Sequence, residues 1–279
     1  MNESLPVSVI IPCYRCKVTI ERAVKSVADQ TRLPNEVILV DDCSSDGTLE
    51  VLQEIKYRYN SLNIKVIGLE KNSGPGAARN YGWELAVNPY IAFLDADDAW
   101  HRLKLEIQYK FMTSDLTIDI CGHDRSIIKK GLLSENDADS IIIELQPTNI
   151  IAVHKRNALL RNPFACSTVM LKRNIKYRFQ DEKYHSEDYL LWLTSLLSGL
   201  SIFYLKIPLT FSFKEPFGEG GLSKNLVAMQ RGNLNTYDRL HGMGLLKTCE
   251  SFFYKCFSLL KYTRRVVVSS LRRLLAKDG

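Results

Sequence analysis

The 279 residues are 46% hydrophobic, 10% aromatic and 24% charged, ordinary globular proportions that exclude a disordered or low-complexity chain and allow a large core. The net charge of +6 sits entirely in residues 251–279, which hold seven Lys/Arg and one Asp, while residues 1–250 carry thirty basic and thirty acidic side chains. This excludes a nucleic-acid-binding core and gives any anionic partner to the tail.

No charged segment followed by an apolar run opens the chain, so no signal peptide is expected. The longest uncharged stretch, Tyr189 to Leu205, is shorter than the roughly 20 residues of a bilayer span. A helix, a stop at Gly199 and a strand explain it better. The seven cysteines are odd in number, and the chain is not small, which argues against a disulfide framework. Cys13 and Cys16 form a lone C-x-x-C without the second pair or histidines of a zinc site; they are read as structural thiols.

In chain order, short apolar runs fall at 7–11, 36–40, 64–67 and 90–94. They are continuous rather than alternating, as in parallel strands buried on both faces. Helical patterns lie between them. Ile20, Ala23, Val24 and Val27 recur at i, i+3, i+4, i+7 after Thr19, a candidate N-cap. Leu49, Leu52, Ile55 and Tyr59 mark a second helix. A third begins in "NSGPGAARN", with Pro75 in its first turn. Strand–helix alternation predicts an α/β fold, a Rossmann-like, mostly parallel sheet flanked by helices.

The second half is less regular. A strand is expected at Ile118–Cys121, a variable polar segment around "SENDADS", and another strand at 167–171. A helix is expected over 185–200, opening on Glu187 and Asp188, then strands at 201–205 and 208–213. "KEPFGEGGLSKN" reads as a mobile loop by composition. There is no internal repeat.

Ligands of such sheets bind beyond the carboxyl ends of the strands, and the unusual residues gather there. The first strand runs into Pro12-Cys13-Tyr14, the second into Asp41-Asp42, the third precedes Asn72-Ser73-Gly74, and the fourth runs into Asp95-Ala96-Asp97-Asp98. Residues two apart in an extended segment face one side, so Asp95 and Asp97 suit Mg²⁺ or Mn²⁺, which take oxygen ligands and few protein carboxylates. The plainer reading is a solvated turn with Asp98 capping the next helix. Asp42 suits a nucleobase N–H or an Asx turn, Tyr14 a stacked base or a bare rim position, and Arg79 a phosphate, a base or a surface ion pair.

"VSVIIPCYRC", "EVILVDDCSSDGT", "NSGPGAARNYG", "YIAFLDADD" and "SEDYLLWL", in this order over residues 7–192, resemble the family-2 inverting glycosyltransferases of the GT-A fold. The resemblance implies a nucleotide-diphospho-sugar donor, a UDP-sugar, held at Pro12, Tyr14, Asp42, Arg79, Asp95, Ala96 and Asp97. Asp97 would bind Mn²⁺ or Mg²⁺ and Asp188 would be the general base. The acceptor would be a hydroxyl of a lipid-linked oligosaccharide in bacterial surface polysaccharide synthesis. Two departures stand out: Cys43 replaces a glycine usual after the second strand, and "KEPFGEGGLSKN" lacks a histidine many relatives carry, leaving Lys214 or Lys224 to meet the diphosphate. Alternatives from other classes are a nucleotidyltransferase, whose glycine-rich loop after the first strand is missing here, and a non-catalytic nucleotide-sugar-binding subunit, which would most easily arise by losing the carboxylates retained here.

The catalytic domain is expected over residues 1–225, with its donor-binding half at about 1–100 and its acceptor half at about 101–225. A helical appendage is expected over 226–279. Along 251–275, Phe253, Phe257, Leu260, Val267, Leu271, Leu274 and Leu275 gather on one helical face, opposite Lys255, Lys261, Arg265, Arg272 and Arg273, with Arg264 inside the apolar arc. This predicts a helix lying in an anionic membrane surface, and a cytoplasmic protein attached peripherally to the inner face of the cell membrane; the alternative reading is a helix packed against the catalytic domain or a partner subunit.

Overall fold

A computed structural model of the chain describes residues 4–128, 146–180, 185–213 and 225–275, with side chains placed as far as residue 266. The expectations for "SENDADS", the 214–224 loop, Lys214 and Lys224 lie outside the described residues.

One nine-stranded sheet runs through the molecule in the order β3-β2-β1-β4-β8-β6-β9-β5, with β7 paired to β9. Its first strands are β1 (Leu5–Cys13), β2 (Pro34–Asp41), β3 (Ile64–Gly68) and β4 (Tyr90–Phe93), all mutually parallel. The remaining strands are β5 (Asp98–Trp100), β6 (Ile120–Ile127), β7 (Ile150–Ala152), β8 (Met170–Lys172) and β9 (Ile202–Ser212). Beyond β4 the sheet is mixed: β8 is antiparallel to β4 and β6, and β9 is parallel to β6. The donor-side half therefore has the expected topology, and the far half departs from it.

The apolar runs are continuous because both faces are covered. Val9, Ile11, Val37 and Leu39 enter one core, and Ile10, Ile38, Val40 and Phe93 the other. Helices α1 (Ile20–Ala28), α2 (Thr48–Arg58) and α4 (Lys104–Ser114) supply the first core, and α3 (Pro75–Leu85) and α6 (Glu187–Leu197) the second. Ile20, Ala23, Val24 and Val27 are all fully buried. Thr19 does not cap: its hydroxyl turns back to the Cys16 carbonyl. Gly199, at φ +91°, ends the α6 region as expected, in a conformation glycine adopts at little cost. Strands 201–205 and 208–213 fuse into β9, whose register against β6 slips between Leu205 and Thr210, where Pro208 offers no N–H.

A third core joins α5 (Lys155–Leu160) and α6 to α7 (Leu226–Gly242) and α8 (Thr248–Leu275) through Leu159, Tyr189, Leu193, Tyr237, Leu240 and Tyr254. The Tyr189 hydroxyl donates to the Ala158 and Leu159 carbonyls, and that of Tyr237 to Leu159. Among the described residues no helix is long and apolar enough to cross a membrane.

Candidate active site

The ends of β1, β2 and β4 and the start of α3 meet on one rim. The Asp42 amide donates to the Cys13 carbonyl, tying β2 to β1. The Asp42 carboxylate accepts the amides of Ser73 and Gly74, both at 2.7 Å. It thus clamps the glycine loop, and any base it receives must share these oxygens. Gly74, at φ +93°, precedes Pro75, the first residue of α3. Tyr14 is 46% exposed, and the Arg15 guanidinium stands 5.3 Å from its ring centroid. Pro12, in β1, is partly covered, and Ala96, past the end of the adjacent parallel strand β4, is buried. Two non-glycine residues here are left-handed, Arg15 (φ 48°) and Cys43 (φ 56°).

Asp95, Asp97 and Asp98 each bring a carboxylate oxygen within 4.8 Å of the others. Octahedral Mg²⁺ or Mn²⁺ at about 2.1 Å needs oxygens up to about 4.2 Å apart, so a small rotation of Asp95 and Asp97, both partly exposed, makes a fitting donor set. Asp98 belongs to neither the solvated turn nor a helix cap. It opens β5, is 7% exposed, and accepts the hydroxyls of Ser167 (2.6 Å) and Ser212 (2.7 Å). Burial and the neighbouring Asp95 and Asp97 push its carboxyl up to about 7. The Ser167 hydroxyl also accepts the Asp95 amide, and Arg22 of α1 donates to the Asp97 carbonyl at 2.6 Å. The turn is thus fixed from three sides.

Arg79 does not stand open to phosphate or base. It is 5% exposed and pairs with Asp95 at 2.6 Å and Glu187 at 3.1 Å. Arg79 thereby joins the aspartate cluster to the first turn of α6. Asp188 follows there, its carboxylate taking the Asn162 amide at 3.1 Å and the Tyr189 N–H at 2.7 Å. Desolvation, and next the charge of Glu187, push its carboxyl up to about 7. Ser186, immediately before this pair, is left-handed at φ 72°.

All seven cysteines are free, and Cys13 and Cys16 are buried. Burial raises the Cys13 thiol well above its usual range, the behaviour of a structural thiol rather than a nucleophile.

Asn162, Ser167, Ser212 and Arg22 were not singled out by the sequence. Their partners lie 26 to 114 residues away, and only the fold brings them together.

The mixed sheet thus carries an acidic strand-end cluster, joined by one arginine to a carboxylate pair at a helix start, within a fold of the GT-A class. Residues 8–176 match the model of glycosyl transferase family 2, and the chain belongs to that family. It is 34% identical over 199 residues to the putative teichuronic acid biosynthesis glycosyltransferase TuaG of Bacillus subtilis, covering 71% of this chain and 74% of that one. It is 32% identical over 203 residues to the Escherichia coli UDP-Glc:alpha-D-GlcNAc-diphosphoundecaprenol beta-1,3-glucosyltransferase WfaP, covering 70% and 71%. Its fold is similar to that of Staphylococcus aureus TarS 1–349 in complex with UDP-GlcNAc, with a TM-score of 0.67 at 23% identity over 91% of this chain and 72% of that one. It is also similar to the Pyrobaculum calidifontis mannosyltransferase PcManGT in complex with GDP-Man and Mn²⁺, with a TM-score of 0.64 at 16% identity over 99% and 80%.

Proposed function

We propose that this glycosyltransferase moves a sugar from a UDP-sugar to a hydroxyl of a lipid-linked saccharide, with inversion at the anomeric carbon. The observation that carries the reading is the Asp95–Arg79–Glu187 bridge, which ties the carboxylate cluster suited to a divalent cation to the helix start that carries Asp188.

Asp188 takes the proton of the acceptor hydroxyl as its oxygen attacks the anomeric carbon, and the nucleoside diphosphate departs from the opposite side. A base with a pKa near working pH suits this step, and the single displacement needs no nucleophilic side chain. Pro12, Tyr14 and Asp42 hold the nucleoside, with Asp95 and Ala96 beside the ribose. Asp97, with Asp95 next to it, would hold Mn²⁺ or Mg²⁺, which when bound offsets charge on the leaving diphosphate. Arg79 is reassigned: it positions Asp95 and Glu187 rather than touching the donor. The UDP-sugar and the lipid-linked acceptor follow the activity printed in the name of the E. coli relative.

The tail supports work at the cytoplasmic face of a membrane, through an outward arc that shares Phe253 and Leu260 with the face read in the sequence; the side chains of Val267, Leu271, Leu274 and Leu275 lie outside the described residues. Phe252, Phe253, Leu259 and Leu260 are 45–70% exposed and share an arc of about 120° at about 100° per residue. Phe257 is partly covered. Lys255 pairs with Asp238, and Lys261 donates to the Leu160 carbonyl, so these two cations face protein while the apolar arc faces out.

Incubation with a panel of nucleotide sugars and Mn²⁺ tests the reading. Slow hydrolysis of one UDP-sugar, lowered about 10²–10⁴-fold in Asp188→Asn, is expected; a panel left intact overturns it.

A further inference from the structure

Helix α7 falls within the segment the sequence suggests as an appendage, yet it presses on the two residues that lead into α6 and the proposed base. A Cβ added at Gly232 would collide with the His185 carbonyl, so only glycine admits this approach. One residue on, the Asn233 side-chain carbonyl accepts the Ser186 hydroxyl at 3.0 Å. Ser186 is the left-handed residue directly before Glu187 and Asp188. A serine held there is strained and persists only where its surroundings enforce it. Nearly two turns further along, Arg239 donates to Gln180. The backbone at 185–186 is therefore gripped by α7 at two adjacent positions, one steric and one by hydrogen bond.

We propose that Gly232 and Asn233 are positioning residues for Asp188. By holding Ser186 left-handed they fix the direction in which the chain enters α6, and with it the aim of the Asp188 carboxylate. The α7 segment is then a wall of the active site. This inference rests on Asp188 being the base.

The test uses the full-length enzyme and the UDP-sugar hydrolysed in the panel. Asn233→Ala should lower kcat about tenfold or more, as misplacement of a reacting group does. KM and UDP affinity by calorimetry should stay within about twofold, and the melting temperature should stay nearly constant, as expected of a group acting only in the chemical step. In an Asp188→Asn background, Asn233→Ala should lower the residual rate no further, since residues acting as one unit are not additive. An unchanged kcat in Asn233→Ala overturns the inference, as does an equal loss in both backgrounds. A loss of activity that tracks a lowered melting temperature also overturns it, leaving α7 as support for the fold. If Asp188→Asn itself turns over normally, the assignment of the base falls first and the inference with it.

Discussion

Arg79 and Glu187 are 108 residues apart in the chain and 3.1 Å apart in the fold. Their contact, with the second arm of Arg79 on Asp95, crosses from α3 to the start of α6, and so links the aspartate cluster to the helix that carries Asp188. Burial opposes the charge on Arg79, but Cys166, Asp95 and Glu187 around it more than offset this and raise its pKa. Removing one partner of such a buried group costs about 3–5 kcal/mol, because the others are left unpaired. Arg79→Met should therefore lower stability by about that amount in urea unfolding, more than most surface substitutions do. A change below about 0.5 kcal/mol would show that the bridge is loose in solution.

The aspartate turn gives a separable prediction. Asp97→Asn should abolish the Mn²⁺-dependent part of UDP binding and leave the fold intact, because its backbone is held by Arg22 and its neighbour Asp98 by two serines. Calorimetry with and without Mn²⁺ checks this. Undiminished Mn²⁺-dependent affinity would move the cation away from Asp97.

Asp188 predicts activity and stability against pH with opposite signs. Its carboxyl is raised to about 7, so the ionised base is lost as pH falls below 7, and kcat/KM should drop about tenfold per unit there. For stability, a raised carboxyl favours the folded state below its unfolded value, and this advantage is lost as pH climbs through 7. Asp188→Asn removes the cost of ionisation, so at pH 8 it should melt no lower than the parent. Three units at about 1.4 kcal/mol each bound the gain at about 4 kcal/mol, and solvent reaching the partly exposed carboxylate brings it below that. A variant that keeps near-normal turnover would leave Asp188 a helix-end carboxylate, worth only about 1 kcal/mol.

Cys43 occupies a left-handed position, φ 56°, at the end of β2. L-residues pay about 1–2 kcal/mol there, and Gly does not. Cys43→Gly should raise stability by about 0.5–1 kcal/mol, since part of the relief is offset by the freer unfolded chain. Thermal melting of the two proteins decides it, and a lower melting temperature would mean that the thiol's contact with the Glu70 carbonyl outweighs the strain.

The donor half was legible because its signals are local. Apolar runs such as Val7–Ile11 need only burial on both faces, and Ile20–Val27 only a 3.6-residue period. What was not legible depended on distant partners. The two serines that hold Asp98 lie 69 and 114 residues away. The buried pairing of Arg79 with Glu187 is invisible from "GPGAARN". The strand at Asp98–Trp100 exists through pairing with β9, and three residues carry no period of their own. In the tail, amphipathicity was legible, and Phe253 and Leu260 face out as read, but the contacts with α7 were not.

Those contacts decide how the membrane reading is best tested. Removing everything after Glu250 would uncover Tyr237, which stacks on Tyr254, and Gln230, which bonds Ser258, so loss of function on truncation would mix two causes. Replacing Phe252, Phe253, Leu259 and Leu260 together by Ser leaves that packed face untouched. Each buried Phe or Leu contributes about 1.5–3 kcal/mol when removed from water, and each nearby Lys/Arg about 1 kcal/mol toward anionic lipid. With Lys255 and Lys261 held by protein, the apolar arc carries the larger share. The fourfold variant should lose binding to anionic liposomes by about 100-fold or more, with unchanged melting temperature and donor hydrolysis. The parent's binding should weaken only modestly with salt, since apolar burial is not screened as charge is. Parent protein that ignores anionic liposomes at low salt would assign the arc to a protein partner instead.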